Sequence, residues 1–287
     1  MRDLSSNLDY LAINTATLRQ WPLETIIESC GRRAIRAIAP WHDEVSRLGI
    51  PAVRQLLRDA GVGLCGYCRA GFFPVERSSE RAVVIERNRR VVDNAKELGA
   101  PCVAVVVGGL PGALDCKPTS RDLSGAREQV RDGIATLLEY AQTLEMPLAI
   151  EPLHPMYAAD RACVNTLEQA LDLCDALSPQ SNGMLGVALD CYHVWWDPKL
   201  EAQIVRAGRN RLLGFHVCDW VVPTRDMLND RGMMGDGVID IKRIRGCLEL
   251  AGFAGYTEVE IFSIDNWWKR DGNEVLDTCV ERYRTVV

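Results

Sequence analysis

Four side chains that can bind a metal ion lie at the ends of four successive apolar segments in the second half of the chain. They are Glu151 in PLAIEPLH, Asp190 in LGVALDCYH, His216 in LLGFHVCD and Glu260 in YTEVEIFS. Burying a carboxylate without a partner is unfavourable, and a divalent cation shared by several side chains is one such partner. Any one of the four could instead be a buried polar group bonded to a loop, but four in succession are not accounted for in that way. We predict that together they bind one divalent metal ion.

The donor set also predicts which ion is bound. Three carboxylates and one imidazole supply mostly oxygen ligands. Such a set favours Mn²⁺ or Mg²⁺, and Co²⁺, Fe²⁺ or Zn²⁺ could also occupy it.

The segments that must position these residues repeat along the whole chain. Eight of them are short, rich in Val, Ile, Leu and Ala and mostly without polar alternation, which is typical of parallel strands covered on both faces. They span residues 11–16, 34–41, 62–68, 102–109, 147–153, 184–190, 212–218 and 256–262. Apolar residues at helical spacing predict helices at Asp43–Ala60, Arg81–Leu98, Gly125–Leu144, Thr166–Leu177 and Asp240–Ala251, and two shorter ones at Glu24–Cys30 and Leu200–Arg209.

Eight strands, each followed by a helix, predict an α/β fold of the (β/α)₈ TIM-barrel type, with residues 1–287 forming a single domain. A doubly wound open sheet could hold the same units, but it needs an edge strand, and all eight segments read as buried. Active sites of TIM barrels lie at the C-terminal ends of the strands. Neighbouring strands are about 4.8 Å apart, so four adjacent strand ends can direct their side chains to one point.

Bulk properties narrow the class of protein. The formal net charge of −6 argues against a nucleic-acid partner. No apolar run approaches the ~20 residues that a membrane span needs, and the N-terminal segment does not resemble a secretory signal. The eleven cysteines are scattered and odd in number, so we expect a reduced, cytoplasmic protein. The pair Cys65 and Cys68 lies along a predicted strand, where residues three apart point to opposite faces, so we expect no redox function for it.

Three features of the second half resemble a known family. They are the order Glu, Asp, His, Glu on strands five to eight, the phrase EPLH at Glu151–His154, and the spacing Asp190-x-x-His193. This combination resembles the xylose isomerase-like TIM-barrel superfamily, of the sugar phosphate isomerase/epimerase type. It is especially similar to the branch that contains D-tagatose 3-epimerase, hydroxypyruvate isomerase, inosose isomerase and inosose dehydratase.

The resemblance implies roles for individual residues. The four residues would bind one divalent metal ion, the two glutamates, Glu151 and Glu260, would also carry protons as the catalytic pair, and His193 would contact a substrate oxygen. Relatives are often dimers or tetramers, so a homo-oligomer is expected. The substrate would be a small sugar or polyol.

The implied reaction is the isomerisation or epimerisation of a keto-sugar, an inosose or a related polyol through a metal-stabilised enediolate. A metal ion acts as a Lewis acid on the carbonyl oxygen, and two carboxylates can remove and return a proton. The alternative is a metal-dependent dehydratase or lyase of the inosose or dehydroshikimate type. An endonuclease IV-like phosphodiesterase fits less well because the chain has only four histidines and is acidic. A non-catalytic metal-binding subunit is a further alternative.

Two departures from the family pattern bear on the substrate. Tyr157 stands where D-tagatose 3-epimerase-like enzymes have an acidic residue, and Val222 stands where they have an arginine. Arg225 and Arg231 follow Val222 in the same loop, and of the two we predict that Arg225 contacts the substrate. The other predicted substrate contacts are Trp41, His42, His154 and His193. We also expect at least two of the tryptophans after strands two, six, seven and eight to line the pocket, because aromatic faces commonly pack on sugars; these are Trp41, Trp195, Trp196, Trp220, Trp267 and Trp268.

Overall fold

The computed structural model, which describes residues 1–287, confirms the predicted (β/α)₈ barrel. A nine-stranded parallel sheet runs in the order β3-β2-β1-β11-β8-β7-β6-β5-β4, and β9 and β10 form a separate antiparallel pair. The strands are β1 Leu11–Asn14, β2 Ala37–Ala39, β3 Gly63–Leu64, β4 Tyr67–Gly71, β5 Val103–Val106, β6 Leu148–Ile150, β7 Leu185–Asp190, β8 Leu212–Val217, β9 Asp219–Trp220, β10 Arg231–Gly232 and β11 Thr257–Val259.

Ten α-helices accompany the strands. They are α1 Leu23–Arg32, α2 His42–Leu48, α3 Ile50–Ala60, α4 Arg81–Leu98, α5 Leu123–Thr143, α6 Leu167–Leu177, α7 Cys191–Val194, α8 Leu200–Arg211, α9 Ile241–Leu250 and α10 Gly272–Thr285. Side chains in the connecting loops cap several of them: the Thr166 hydroxyl accepts a hydrogen bond at the start of α6, and the Asp240 carboxylate accepts one at the start of α9. None of the helices combines the length and the apolar character that crossing a membrane requires.

The third strand position differs from the prediction, because residues 62–68 do not form one strand. Two short strands share this position: β3 pairs with β2, whereas β4 pairs with β5. The barrel closes beside Pro40, whose carbonyl oxygen accepts a hydrogen bond from the Cys68 N–H at 3.0 Å. Pro40 has no N–H of its own, so the ladder between the second and third positions cannot continue regularly past β2.

The predicted helix Asp43–Ala60 is likewise wrong in its continuity. It is divided at Gly49 into α2 and α3. Gly49 has φ +84° and ψ 140°, a conformation that interrupts a helix and that glycine adopts without a steric penalty. Pro51 follows within the first turn of α3, where its missing N–H is tolerated.

The strand register aligns two of the predicted metal ligands, Asp190 and His216, with each other and with Glu258. Asp190, the last residue of β7, is paired with His216 in β8, and His216 is paired in turn with Glu258 in β11. Glu151 and Glu260 each follow a strand by one residue, and their backbone N–H groups still donate to the neighbouring strands, to Val105 and Val217 respectively, at 3.0 Å. The four side chains therefore stand on hydrogen-bonded backbone, with one register shift between Val187 and Ala188 in the β7–β8 pair.

Small side chains fill the barrel interior beside β1, β2 and β5. One interior cluster consists of alanines and cysteines: Ala12, Ala37, Ala39, Cys65, Cys68 and Ala104. The bulky apolar residues belong instead to the main core of 72 buried residues. Small residues here leave room inside the barrel for polar side chains next to the metal ligands.

Gly71→Ala tests the close packing of the strand that flanks the site. Gly71 has φ +122°, and a Cβ atom there would lie 1.8 Å from the Val106 carbonyl oxygen. We expect the substitution to lower the free energy of unfolding by at least about 2 kcal/mol, because it adds backbone strain and a clash. Denaturant unfolding measures this effect. Gly63→Ala is the matched control, since the nearest atom there lies at 3.5 Å; equal stabilities of the two variants would contradict the packing described.

Candidate metal centre

The four predicted metal ligands converge in the barrel. Glu151, Asp190, His216 and Glu260 each offer a ligand atom, and these atoms all lie within 4.8 Å of one another. All four side chains are buried, and none is more than 6% exposed. An ion bound at about 2.0–2.6 Å spans at most roughly 5 Å between opposite ligands. The spacing and the chemistry of the donor atoms therefore fit a single divalent cation.

The two nitrogens of His216 face two different carboxylates. Nδ1 lies 3.1 Å from Glu151 Oε1, and Nε2 lies 3.6 Å from Glu258 Oε2. A metal-bound histidine commonly has a carboxylate beside its second nitrogen, which fixes the orientation of the ring. Glu258 therefore has the position of a residue that orients His216.

Sequence reasoning missed Glu258. A signal for it was present in the segment YTEVEIF, because residues two apart on a strand point to the same face. Glu258 and Glu260 are two apart, and both side chains are buried inside the barrel. Asn14 connects them: its Nδ2 donates to Glu258 Oε1 at 2.7 Å and to Glu260 Oε1 at 3.0 Å.

Arg231 is the second residue that sequence reasoning did not select. Its Nη1 donates to Asp190 Oδ2 at 2.9 Å and to Glu260 Oε2 at 3.1 Å, and its Nη2 lies 3.2 Å from His193 Nε2. The strand pair β9–β10 holds this arginine, and its backbone N–H donates to the Phe262 carbonyl. Arg231 is thus a buried cation attached to two of the predicted metal ligands.

The pKa values of the clustered residues depend on their burial and on the charges next to them. Burial raises the pKa of Asp190 to about 6, although Arg231 lowers it. Burial also raises the pKa of Glu260, again against the effect of Arg231. Burial disfavours the protonated form of His216, but Glu258 and then Glu151 raise its pKa well above its ordinary value. The site therefore favours additional positive charge, which a divalent cation would supply.

A second group of potential ligands overlaps the first. Cys68, Glu258 and Glu260 also place one ligand atom each within 4.8 Å of one another. Burial raises the pKa of the Cys68 thiol well above its usual value, and Glu258 raises it further. The set with His216 offers four ligands instead of three and requires no thiol to lose its proton, so it is the better one.

The prediction that Cys65 and Cys68 point to opposite faces is wrong. The Cys65 thiol donates to Glu258 Oε2 at 3.2 Å, and Asn14 Nδ2 lies 3.5 Å from Cys68 Sγ, so both thiols face the barrel interior. The break between β3 and β4 is the reason, because it cancels the alternation of a continuous strand. Burial raises both thiol pKa values well above their ordinary range, which opposes thiolate chemistry.

A cavity of about 290 Å³ opens over the cluster. Two of the predicted metal ligands, Glu151 and Glu260, line it, together with Trp41 and His193 from the predicted substrate contacts. The remaining lining residues are Arg19, Cys68, Arg69, Phe72, Ala104, Val106, Leu153, Tyr157, Arg161, Leu228, Arg231 and Phe262.

The other three predicted substrate contacts lie elsewhere. His42 lines a neighbouring cavity of about 460 Å³, with Nδ1 3.3 Å from the Tyr67 hydroxyl. His154 lies behind His193: its backbone N–H donates to His193 Nδ1 at 3.2 Å, and its ring packs against Trp220. The Arg225 side chain is 62% exposed and pairs with Asp230.

Fewer tryptophans line the cavity than expected. Trp41 is the only one that does, and its Nε1 donates to Asn14 Oδ1 at 2.8 Å. The other aromatic walls come from Phe72, Tyr157 and Phe262. Tyr157 therefore faces the cavity at the position where the family resemblance suggests an acidic residue.

Comparison with known protein families gives a match over most of the chain. Residues 25–279 match the family described as xylose isomerase-like TIM barrel. The chain belongs to this family. The comparison with curated proteins finds no match.

The chain is also similar to several solved structures. The chain is 54% identical to the protein SMc04130 from Sinorhizobium meliloti 1021, with a TM-score of 0.92 and coverage of 98% of this chain and 99% of that one. The IolI protein with a bound zinc atom is 18% identical, with a TM-score of 0.82 and coverage of 97% and 98%. The 3-keto-D-glucoside 4-epimerase YcjR from E. coli is 16% identical, with a TM-score of 0.75 and coverage of 96% and 99%. The last two likenesses establish a shared fold.

Glu258→Gln tests whether this carboxylate orients His216. The amide fits the same space but removes the negative charge facing Nε2, so we expect the affinity for Mn²⁺ to fall about 10- to 100-fold. Asp190→Ala removes a predicted ligand, so we expect it to lower the affinity for Mn²⁺ further than Glu258→Gln does. Competition with a chelating dye and the metal content after dialysis measure both effects.

The control for Glu258→Gln is Glu97→Gln, which neutralises an exposed carboxylate on α4. It is expected to bind Mn²⁺ like the unaltered protein. If Glu258→Gln and Glu97→Gln had the same affinity, Glu258 would have no part in metal binding.

Proposed function

We propose that this protein is a divalent-metal-dependent isomerase or epimerase that acts on a keto-sugar, an inosose or a related polyol. One observation supports this most directly: of the four predicted metal ligands, the two glutamates, Glu151 and Glu260, line the cavity, whereas Asp190 and His216 do not. The cavity-facing ligands are thus the two residues to which the family resemblance assigns proton transfer.

The metal ion, held by Glu151, Asp190, His216 and Glu260, would polarise the substrate carbonyl as a Lewis acid and so acidify the neighbouring C–H bond. The donor set favours Mn²⁺ or Mg²⁺. The structurally similar IolI protein binds zinc, so we also consider Zn²⁺ for this site.

The two glutamates are held differently, which suits two proton-transfer roles. Glu151 faces His216 Nδ1, whereas Glu260 receives hydrogen bonds from Asn14 and Arg231. They come from opposite ends of the four-strand segment β6, β7, β8 and β11. A substrate bound over the cluster would meet the two carboxylates from different sides, so that one can remove a proton from carbon and the other can return it.

His193 and Arg231 are the proposed contacts to a substrate oxygen. His193 Nδ1 lies 3.2 Å from the His154 backbone N, an N–H donor, and Nε2 lies 3.2 Å from Arg231 Nη2, a second donor, and 3.5 Å from Asp190 Oδ2, an acceptor. A neutral imidazole has only one acceptor nitrogen, and burial followed by Arg231 lowers the His193 pKa well below its usual value. The contacts with the two donors therefore cannot both be hydrogen bonds. A substrate oxygen that accepts from both His193 Nε2–H and Arg231 would remove this conflict.

Arg231 also takes the place of an arginine that the family pattern contains and that this chain lacks at the corresponding position. The family resemblance suggests an arginine where this chain has Val222. Arg231 lines the cavity beside His193 instead. We propose that it performs the corresponding substrate contact, in preference to the exposed Arg225.

The remaining partners follow the same proposal. The substrate is a small sugar or polyol, as the names of two structural neighbours suggest: the 3-keto-D-glucoside 4-epimerase and a D-allulose 3-epimerase from Methylomonas sp.. We further propose a homo-oligomer, a dimer or a tetramer, located in the cytoplasm.

Deuterium exchange tests the reaction. The Mn²⁺-loaded protein is incubated in D₂O with a panel of ketoses and inososes, and the products are analysed by mass spectrometry and NMR. We expect a substrate to take up deuterium at the carbon next to its carbonyl without another change in mass. Loss of water would indicate the lyase instead, and no reaction with any member of the panel would contradict the proposal.

Glu151→Gln and Glu260→Gln assign the proton transfer. Each variant keeps an oxygen that can still ligate the metal but cannot accept a proton, so we expect exchange to fall at least about 100-fold. Metal content measured on the same samples separates lost chemistry from lost metal. Glu97→Gln again serves as the control for charge.

A further inference from the structure

The cavity over the metal ligands carries an unusual number of positive charges. Four arginines line it: Arg19, Arg69, Arg161 and Arg231. Arg231 is bonded to Asp190 and Glu260, but the other three make no hydrogen bond to a carboxylate. In a chain with a formal net charge of −6, three such arginines around one cavity are a local excess of positive charge.

Arg69 is fixed in place without a counter-ion. Its guanidinium lies over the ring of Phe72 at 4.4 Å and over the ring of Trp41 at 5.2 Å. These aromatic contacts hold the side chain in the cavity wall but leave its N–H groups without a hydrogen-bond acceptor. Burial, with a smaller contribution from the nearby Arg161, lowers the pKa of Arg69. Arg69 is half-buried, and its N–H groups make no hydrogen bond within the protein, so they are free to donate to a ligand that enters the cavity.

Arg161 is close to Arg69 and is also poorly paired. Its side chain is 27% exposed, and its nearest carboxylate oxygen, in the adjacent Asp160, is 3.9 Å away, beyond hydrogen-bond distance. Its guanidinium lies 6.0 Å from the centre of the Tyr157 ring, which contributes no charge. Two neighbouring, partly buried guanidinium groups repel each other unless an anion lies between them.

Other groups do not neutralise this pair. Glu151 and Glu260 raise the pKa of Arg69, so they lie within its electrostatic range, but neither forms an ion pair with it. Glu151 is paired with His216. Glu260 is paired with Arg231 and accepts a hydrogen bond from Asn14. Arg19 is exposed at the rim, with its guanidinium 5.4 Å from the Trp268 ring, so it could only supplement the pair.

We propose that Arg69 and Arg161 bind an anionic group of the substrate, a carboxylate or a phosphate, while the carbonyl end of the same molecule faces Glu151 and Glu260. The planar guanidinium is suited to both anions, since it can donate two parallel hydrogen bonds to either. This inference rests on the proposed function and narrows it: the substrate is an acidic or phosphorylated keto-sugar or polyol, not a neutral one.

Three probes that differ only at C6 test the proposal: D-fructose, D-fructuronate and D-fructose 6-phosphate. Calorimetry with the Mn²⁺-loaded protein gives a Kd for each. We expect at least one anionic probe to bind tenfold or more tightly than fructose, and the preferred anion then separates the carboxylate from the phosphate. If neither anion binds more tightly than fructose, including the case in which none of the three binds, the proposal is wrong.

Variants locate the anion on the two arginines. Arg69→Gln and Arg161→Gln are each expected to weaken binding of the anionic probe about ten- to hundredfold and to change fructose binding by less than about twofold. Arg69→Lys keeps the charge but not the paired donors, so we expect its affinity for the anionic probe to lie between those of the unaltered protein and Arg69→Gln. Arg54→Gln removes an exposed charge on α3 and is the matched control. Unchanged affinity in both glutamine variants would overturn the proposal.

The same samples keep this inference separate from the proposed function. An anion that binds to the metal ion alone would bind equally well to the Arg69 and Arg161 variants, so affinities are compared between samples of equal metal content. Deuterium exchange on a neutral ketose without any preference for anions would uphold the isomerase and overturn the anion site. Arginine-dependent binding of an anion without exchange would uphold the anion site and overturn the isomerase.

Discussion

The concentration of negative charge inside the barrel is the constraint on which the rest of the site depends. Four carboxylates, those of Glu151, Asp190, Glu258 and Glu260, are at most 6% exposed. The protein supplies Arg231 as the one permanent cation in contact with them, and His216 as a titratable one. Buried charges are stable only when they are paired and hydrogen-bonded. A divalent cation would complete this pairing, and its binding would then also stabilise the barrel mouth.

The sheet brings these charges together on backbone that stays hydrogen-bonded to its neighbours, despite one register shift in the β7–β8 pair. Its register aligns Asp190, His216 and Glu258 across three adjacent strands. Glu151 and Glu260 remain in the hydrogen-bond ladder although they lie just beyond their strands. Small alanine and cysteine side chains occupy the neighbouring interior, where larger residues would fill the space. The position of each charge is therefore set by the barrel and not by mobile loops.

The sequence predicted the residues on strands better than the residues in loops. Strand-end residues such as Asp190 and His216 were predictable, because a chargeable residue at the end of a buried strand is unfavourable unless it has a partner. Glu258 could also have been predicted, because it is two residues from Glu260 on the same predicted strand. The break between β3 and β4 was not, because it depends on pairing with β2 at one end and with β5 at the other. That break turned both cysteines inward.

The loop after β8 shows why substrate contacts were harder to predict than metal ligands. Arg225 and Arg231 are six residues apart in one loop, and nothing in their local sequence separates them. The β9–β10 pair turns Arg231 into the barrel, whereas Arg225 is satisfied by Asp230 at the surface. That pairing is a tertiary contact, and no periodicity in the sequence encodes it. The position of His42 was hard to predict for the same reason, since α2 directs it into the neighbouring cavity.

The arginines of the cavity show how local charge can oppose net charge. A net charge of −6 repels anions at long range, but salt screens that repulsion within about 8 Å. Inside the cavity the relevant charges are those within hydrogen-bond distance, and there Arg231 and Arg69 differ sharply. Arg231 donates to Asp190 and Glu260, whereas Arg69 is held by aromatic rings that accept none of its hydrogen bonds. A guanidinium held by rings alone is already oriented for a ligand, so an anion reaching it would not have to break an ion pair first.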